Sequence, residues 1–390
     1  MPTVFKYIVY LLLALNIKSF PLVWHYRVFR PVFKFHLQHT YVKLMNLVTF
    51  KSKAASRRRE AEWFESLIPL GANPFELMGT FKSRASIDES DFNWHLSNSS
   101  YAKTMDSTRF KFGLEMWPNF FRLGGWVPLS ATHFHYLREI PMLSKYEVRA
   151  TVGAWDQKWL YVVQRFVTYP KKKASRPIKL NGKQNGNGDA ASTPDINESG
   201  SLPYIRANMR QPVSQTEINT PAQGLSSAPS SVDLAGLSSA DEKANLSAVS
   251  AELMKGLDVL DEEDGAVVNT IAISQVCFKI GRITIPPAIV MAMNGASGLS
   301  TSSRRKRYTL DEHRRVAPAY WPKIQEMMTP PGDTRKLKKF VTGGWRDVPE
   351  GEERFWETAL GGEVEERRKR NLGLVEQLRR GLEVVDEGVM

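Results

Sequence analysis

Alternating apolar and polar positions define the middle of the chain. From Tyr146 to Ala154 every second residue is apolar, and Glu147, Arg149 and Thr151 stand between them. Successive side chains of a β-strand point to opposite sides, so a period of two is typical of a strand with one buried face. The pattern therefore predicts such a strand at this position.

Four other segments have β character and surround one helix. The predicted helix begins near Asn98, among residues suited to capping, and carries apolar residues at helical spacing on one face: Tyr101, Met105, Thr108 and Phe112. The predicted strands cover 77–88, 126–137, 159–169 and 267–280. The second alternates in polarity, and the last two are rich in β-forming residues. One helix combined with several antiparallel strands is an α+β arrangement.

The first 60 residues combine an apolar run with basic residues. Residues 7–15 are continuously apolar, whereas a membrane span needs about 20 apolar residues. We expect residues 1–60 to form a membrane anchor with a single helix, and the basic residues after the run predict that the rest of the chain faces the cytosol. An interfacial amphipathic anchor remains the alternative. A cleaved signal peptide is disfavoured because no small-residue cleavage site follows.

Charge is concentrated in the same segment. The formal net charge of the chain is +12, and residues 1–60 contain six Lys and five Arg against one acidic residue, Glu60. The remaining residues are nearly balanced, which disfavours a nucleic-acid-binding face on the folded domain. A basic segment beside an apolar run instead favours an anionic membrane surface.

Composition divides the rest of the chain. Residues 171–264 are dominated by small, polar and charged residues, so we predict a disordered insertion between strands of one sheet, with a short helix within 246–260. Residues 301–390 are predicted as a charged helical extension. Its helix over 353–385 either docks on the domain or binds a partner.

Candidate chemistry precedes the predicted helix. Asp91 and His95 stand just before a helix end, where unpaired backbone N–H groups of Ser99, Ser100 and Tyr101 would suit a developing oxyanion. A carboxylate at this place could act as general base or nucleophile. On the residues alone, a structural turn with a capping carboxylate is the more common explanation.

The spacing Asp-x-x-x-His-x-x-Asn-x-x-Tyr, formed by Asp91, His95, Asn98 and Tyr101, resembles the hotdog-fold acyl-CoA thioesterases of the 4-hydroxybenzoyl-CoA thioesterase type. The run 146–161 resembles the thioesterase superfamily member 6 group and its fungal biosynthetic relatives. The resemblance implies a long central helix wrapped by an antiparallel sheet. Its first part would be residues 61–170, and its last strands would lie in 265–300.

The resemblance also implies roles and partners. Asp91 would be the nucleophile or general base, His95 would orient the loop or substrate, and Asn98 would cap the helix, with backbone donors at Ser99, Ser100 and Tyr101. The resemblance further implies a homodimer without a cofactor, and a place in secondary metabolism, where some relatives act. The expected membrane location, in turn, suggests a fatty or polyketide acyl chain on CoA or a carrier protein as the substrate.

Two positions depart from the family pattern. Trp94 replaces a glycine before the His and is expected to crowd Asp91, and Ser97 replaces the first of two asparagines. These departures leave open a non-catalytic acyl-binding protein, and a hydratase or dehydratase is a lesser alternative. His133 and His135 share a strand face without a third ligand, and Cys277 is the only cysteine, so no metal site is expected.

Overall fold

The computed structural model describes residues 3–169, 262, 264–298, 307–349 and 353–387, with side chains through residue 376. The described residues belong to one compact unit, formed by Met1–Lys171 and Ser238–Met390. A second unit, Lys172–Leu237, lies outside the described residues, as does the predicted short helix within 246–260. Of the predicted insertion, 171–264, only Glu262 and Asp264 are described.

Ten helices and seven strands occur in the described residues. The helices are α1 Thr3–Leu15, α2 Val23–Val48, α3 Lys53–Ser66, α4 Asn98–Met116, α5 Pro118–Arg122, α6 Pro287–Met293, α7 Trp321–Met327, α8 Arg335–Val341, α9 Phe355–Thr358 and α10 Glu363–Glu387. The strands are β1 Gly79–Arg84, β2 Gly125–Trp126, β3 Leu129–Tyr136, β4 Lys145–Trp155, β5 Trp159–Thr168, β6 Val267–Ile280 and β7 Ile283–Ile285.

The strands form one antiparallel sheet with the order β1-β4-β5-β6-β2, and β3 and β7 also pair with β6. β5 and β6 are neighbours with Trp159 opposite Cys277, so the sheet continues across the insertion. Each predicted strand is present within a few residues of its expected bounds. The segment predicted as 126–137 is divided into β2 and β3, and β1 is shorter than expected because a 3₁₀ turn follows at Ile87–Glu89.

Helix α4 packs against one face of this sheet. The predicted apolar face is buried, and Tyr101 and Met105 lie in one core cluster with Val148, Phe166 and Ala272. β1 approaches α4 so closely that a Cβ at Gly79 would stand 2.7 Å from the Phe112 ring. A long helix against a curled antiparallel sheet confirms the α+β architecture.

The opposite face of β4 is covered as well. Asn371 of α10 donates to the Gly153 carbonyl at 2.7 Å, and Val375 is buried in the cluster beneath it. Arg149 is buried in ion pairs with Glu147, Glu262 and Asp264. The expectation of a single buried face was therefore wrong. The alternation suggested that the charged side chains of β4 face solvent, whereas Glu147 and Arg149 are buried and form ion pairs.

The N-terminal segment forms three helices. α1 has 13 residues, and α2 is longer but carries many polar side chains. None of the helices in the described part of the chain has the combined length and apolarity that crossing a bilayer requires. The predicted single spanning helix is therefore unsupported. The expected boundary at residue 60 falls inside α3, whose Trp63 and Phe64 pack against Phe35 of α2.

Candidate active site

A tight turn before α4 brings a carboxylate to an imidazole. The Asp91 N–H donates to the His95 carbonyl at 2.9 Å, and the Trp94 N–H donates to the Asp91 carbonyl at 3.1 Å. The Asn93 N–H donates to Asp91 Oδ1 at 2.9 Å, as in an Asx turn. Oδ2 then lies 3.2 Å from His95 Nδ1. The turn thus fixes one carboxylate oxygen on the backbone and directs the other to the ring.

A second carboxylate faces the other side of the same ring. His95 Nε2 lies 3.5 Å from Oε1 of Glu139, an exposed side chain in the connection between β3 and β4. The connection is held in place because the Leu96 N–H donates to the Ile140 carbonyl at 2.9 Å. The two ring nitrogens of His95 thus face one carboxylate each, Asp91 on one side and Glu139 on the other. Sequence reasoning missed Glu139, since nothing in its local pattern marks it.

The N-terminal end of α4 lies next to this pair. Ser97 occupies the N-cap position and Asn98 is the first helical residue, so the prediction that Asn98 caps the helix was wrong. The Ser97 carbonyl accepts the Ser100 N–H at 2.9 Å, and the hydroxyls of these two serines are 2.8 Å apart. Asn98 and Ser99 are exposed at the helix end, and no acidic residue occupies the first turn. The backbone N–H groups of these two residues point out of the helix end, and together with the positive end of the helix dipole they suit an oxyanion.

Tyr101 supports the helix end from inside. Its ring is buried and packs against Phe166 at 4.8 Å and Tyr136 at 5.3 Å. Burial raises the pKa of Tyr101 to about 12. A neutral, buried phenol anchors the first turn of the helix and is not a general acid near pH 7.

Glu89 lies behind the turn and links it to the N-terminal helices. Its side chain is 1% exposed and bonds to Lys18 at 2.6 Å and to Arg27 at 2.9 Å, while its carbonyl accepts the Ser97 N–H at 3.0 Å. Burial lowers the pKa of Lys18. Glu89 therefore contacts both Ser97, at the start of α4, and Arg27 of α2. The sequence offered no indication of this role because Lys18 is 71 positions away.

An apolar cavity of about 530 Å³ lies farther along α4. It is bounded by α2, α4 and the sheet, and its walls include Trp24, Val28, Phe110, Leu129, Val162 and Val276. Asp106, which lines it, is eight residues beyond Asn98, so the cavity begins about 12 Å along the helix axis. Its size is within the range of ligand pockets.

Arg109 brings a cation to the cavity wall. It donates to Ser274 at 3.1 Å and to Asp106 at 2.5 Å. Ser274 in turn donates to Gln164 at 2.8 Å, and both side chains are fully buried. This polar row crosses the interface between α4 and the sheet.

The other candidate residues have structural places. His133 and His135 lie on β3, where burial first and then the neighbouring imidazole lower the pKa of His133. No group of three or more His, Cys, Asp or Glu side chains suited to a metal ion occurs within the described ranges. Cys277 is buried in β6, as expected for a small apolar residue.

The turn and α4 fall within a region that known proteins share. Residues 86–181 match the family model of the Thioesterase-like superfamily. This thioesterase-like region contains Asp91, α4 and strands β2 to β5, and it confirms the resemblance inferred from the motif.

Three curated relatives agree with this match. A probable thioesterase of Saccharomyces cerevisiae is 32% identical over 85 residues, which cover 21% of this chain and 37% of the yeast protein. The probable thioesterase atnL of Emericella nidulans is 30% identical over 214 residues, which cover 47% of this chain and 58% of that protein. Protein THEM6 of Danio rerio is 29% identical over 87 residues, which cover 22% of this chain and 43% of that protein. The chain thus spans about half the length of these relatives, or less.

The family motif usually has glycine where this chain has Trp94, and the backbone conformation at this position accounts for that preference. Trp94 has φ +63°, in the left-handed region that favours glycine. The Met142 N–H donates to the Trp94 carbonyl at 2.8 Å, and this bond ties the turn to the connection between β3 and β4. The Trp94 side chain is 68% exposed and Phe92 is 89% exposed, which places two aromatic rings beside Asp91 in the chain.

Proposed function

We propose that this chain is a thioesterase that hydrolyses acyl thioesters at Asp91, His95 and the N-terminal end of α4. The observation that carries the proposal is the carboxylate–imidazole pair, 3.2 Å apart, directly before an exposed helix end. The match of residues 86–181 to thioesterase-like proteins supports it.

The thioester carbonyl oxygen binds at the start of α4 in this proposal. The N–H groups of Asn98 and Ser99 donate to it, because the Ser100 N–H is already donated to the Ser97 carbonyl. Ser99 was among the predicted donors, whereas Ser100 and Tyr101 are buried. Donors fixed in advance stabilise the negative charge that appears on the oxygen when the carbonyl carbon is attacked.

Asp91 supplies the base. Its carboxylate takes a proton from a water molecule as the water oxygen bonds to the carbonyl carbon, and the tetrahedral oxyanion then expels the thiolate as the C–S bond breaks. The proton passes to the sulfur, so that one acyl thioester and one water give one carboxylic acid and one thiol. Attack by the Asp91 carboxylate itself, followed by hydrolysis of the anhydride, gives the same products. His95 holds the carboxylate in position through the contact between its Nδ1 and Asp91 Oδ2.

The substrate in this proposal carries an apolar acyl chain on CoA or on a carrier protein. The cavity along α4 is mostly apolar and begins about 12 Å from the helix end, so it would receive the distal part of a fatty or polyketide chain. A place in secondary metabolism is part of the proposal, as the resemblance to fungal biosynthetic thioesterases implies.

A second copy of the chain completes the site in this proposal. The turn at Asp91 is open to solvent, and β3 pairs only with β6 in the described part of the sheet, so its other edge is free for a partner strand. An exposed strand edge is a ready surface for pairing. We therefore expect a homodimer.

The proposal is tested with the full chain and acyl-CoAs from acetyl to stearoyl, by following free thiol with a chromogenic disulfide. We expect thiol release that increases with acyl-chain length. A cooperatively unfolding sample that releases no thiol from any acyl-CoA would refute the proposal. If it binds acyl-CoA without turnover, the chain is an acyl-binding protein. Hydration of an enoyl-CoA without thiol release would identify a hydratase.

A further inference from the structure

Helix α1 is apolar and exposed on every side. None of its 13 residues is buried, and its exposed side chains include Val4, Phe5, Tyr7, Ile8, Tyr10, Leu11, Leu12, Leu13 and Leu15. Monomeric soluble proteins rarely expose contiguous apolar patches larger than a few hundred Å². A helix of this composition therefore needs an apolar environment on more than one side.

Helix α2 continues the same surface with a single apolar stripe. Its outward positions are occupied by Tyr26, Phe33, Leu37, Tyr41, Leu44 and Val48, whereas Phe29 lies at the border of the stripe and packs on Phe110 of α4 with ring centroids 5.4 Å apart. The spacing of these six residues places their side chains on one face. The stripe runs from Tyr26 to Val48 within α2 and so extends over about 33 Å, at roughly 1.5 Å per residue.

The opposite face of α2 is fixed to the folded domain. Arg27 pairs with Glu89 at 2.9 Å, and Val28 is buried at the cavity wall. His39 stacks on Trp63 of α3 with ring centroids 5.2 Å apart. Because these contacts hold the inner face, the apolar stripe is permanently directed away from the domain.

Charge distinguishes the partner of this surface. Residues 1–59 contain no Asp or Glu, and exposed cations accompany the stripe: Arg30 lies in line with Val48, Lys34 lies at one border and Lys43 at the other. Two copies of such a surface would repel each other, whereas anionic lipid headgroups above an apolar layer complement both its charge and its apolar side chains.

We propose that α1 and the outer stripe of α2 lie in the plane of an anionic membrane surface. The apolar side chains enter the boundary between headgroups and acyl chains, and Arg30, Lys34 and Lys43 contact the headgroups. The anionic cytosolic leaflet is the surface that this charge favours. Trp24 and Val28 of the same helix line the cavity, so an apolar ligand of the cavity would stand one helix away from the lipid.

Binding of the full chain to vesicles tests this proposal. We expect co-sedimentation with vesicles of phosphatidylcholine and phosphatidylserine, and weaker binding to phosphatidylcholine alone. The variant Phe33→Gln/Leu37→Gln/Tyr41→Gln/Leu44→Gln should lower partitioning at least about tenfold on both vesicles, since four apolar side chains no longer enter the lipid. Arg30→Gln/Lys34→Gln/Lys43→Gln should lower it about 100-fold on the anionic vesicles only.

Matched controls separate this surface from exposed apolar residues in general. Ile283→Gln/Val316→Gln changes two exposed apolar residues elsewhere and should bind as the unchanged chain does. A second readout changes only one residue at a time and leaves the rest of the stripe intact. A polarity-sensitive dye on Leu37→Cys should shift to the blue on vesicles, a dye on Ile283→Cys should not, and Cys277 is buried and should not react.

Four outcomes would overturn the proposal. The full chain could fail to bind either vesicle, or the stripe variant could bind as tightly as the unchanged chain. Loss of self-association in the stripe variant, without vesicle binding by the unchanged chain, would assign the stripe to contacts between copies. Resistance of the membrane-bound chain to alkaline carbonate would indicate a spanning segment and contradict an in-plane position.

Discussion

Asp91 Oδ2 lies 3.2 Å from His95 Nδ1 although the two residues are not on a helix. Their spacing of four residues is closed by a turn in which the backbone of Asp91 bonds to the backbone of His95. The carboxylate–imidazole pair therefore depends on the conformation of residues 91–95 and on the contacts that hold this turn against α4.

Glu89 is predicted to hold the turn and the N-terminal helices together. Glu89→Gln should lower the free energy of unfolding by about 3 kcal/mol, because it leaves Lys18 and Arg27 partly buried without a counter-charge. Activity should fall with it because the segment before α4 loses its ion pair with Arg27 of α2. Urea denaturation measures the change. The exposed Glu326→Gln should stay within about 0.5 kcal/mol of the unchanged chain, and equal stability of the two variants would contradict this role of Glu89.

Trp94 is predicted to be strained in its left-handed conformation. Trp94→Gly should be more stable than Trp94→Ala by about 1 kcal/mol, since both variants remove the ring and only glycine removes the strain. At an ordinary helical or extended position the order would be reversed. Thermal unfolding of the two variants decides the sign. Because the Trp94 ring is expected to crowd Asp91, both variants should also raise kcat/KM for bulky acyl groups.

The cavity along α4 is predicted to set the preferred acyl-chain length. Leu129→Trp should fill part of it from its half-exposed rim and lower kcat/KM for long-chain acyl-CoAs by about tenfold or more, with little effect on short chains. Ile283→Trp places the same side chain on an exposed strand away from the cavity and serves as control. Equal losses for all chain lengths in Leu129→Trp would show that the cavity does not hold the acyl chain.

Asp264 is predicted to make stability depend on pH in the acid range. Its hydrogen bond with Arg149 is the main cause that holds the pKa of the carboxyl well below its usual value. A lowered folded pKa contributes stability above the unfolded value, about 3.9, and this contribution is lost as pH falls through the folded value. Asp264→Asn should therefore cost about 1 kcal/mol at pH 7, given its exposure. The cost should shrink progressively below about pH 4, and urea denaturation across this range measures it.

How far the sequence predicts the structure depends on the range of the interactions. The strands and α4 could be predicted because alternation and helical spacing are local patterns, and Asp91 and His95 because the motif is short. The pairing of Glu89 with Lys18, and of His95 with Glu139, joins segments that no local pattern relates. The burial of Arg149 depends on α10 and on Glu262, more than 100 residues away. The cavity likewise requires α2 to pack beside α4.

The measurement that tests the central claim most directly is hydrolysis of a long-chain acyl-CoA by Asp91→Asn beside Asp311→Asn. Asp311 is an exposed carboxylate outside the site, so its variant controls for loss of charge. We predict that Asp91→Asn lowers kcat at least about 100-fold while the protein stays folded, as expected when a general base or nucleophile is removed, and that Asp311→Asn keeps full activity. Unchanged kcat in Asp91→Asn would contradict the assignment of the active site to this turn.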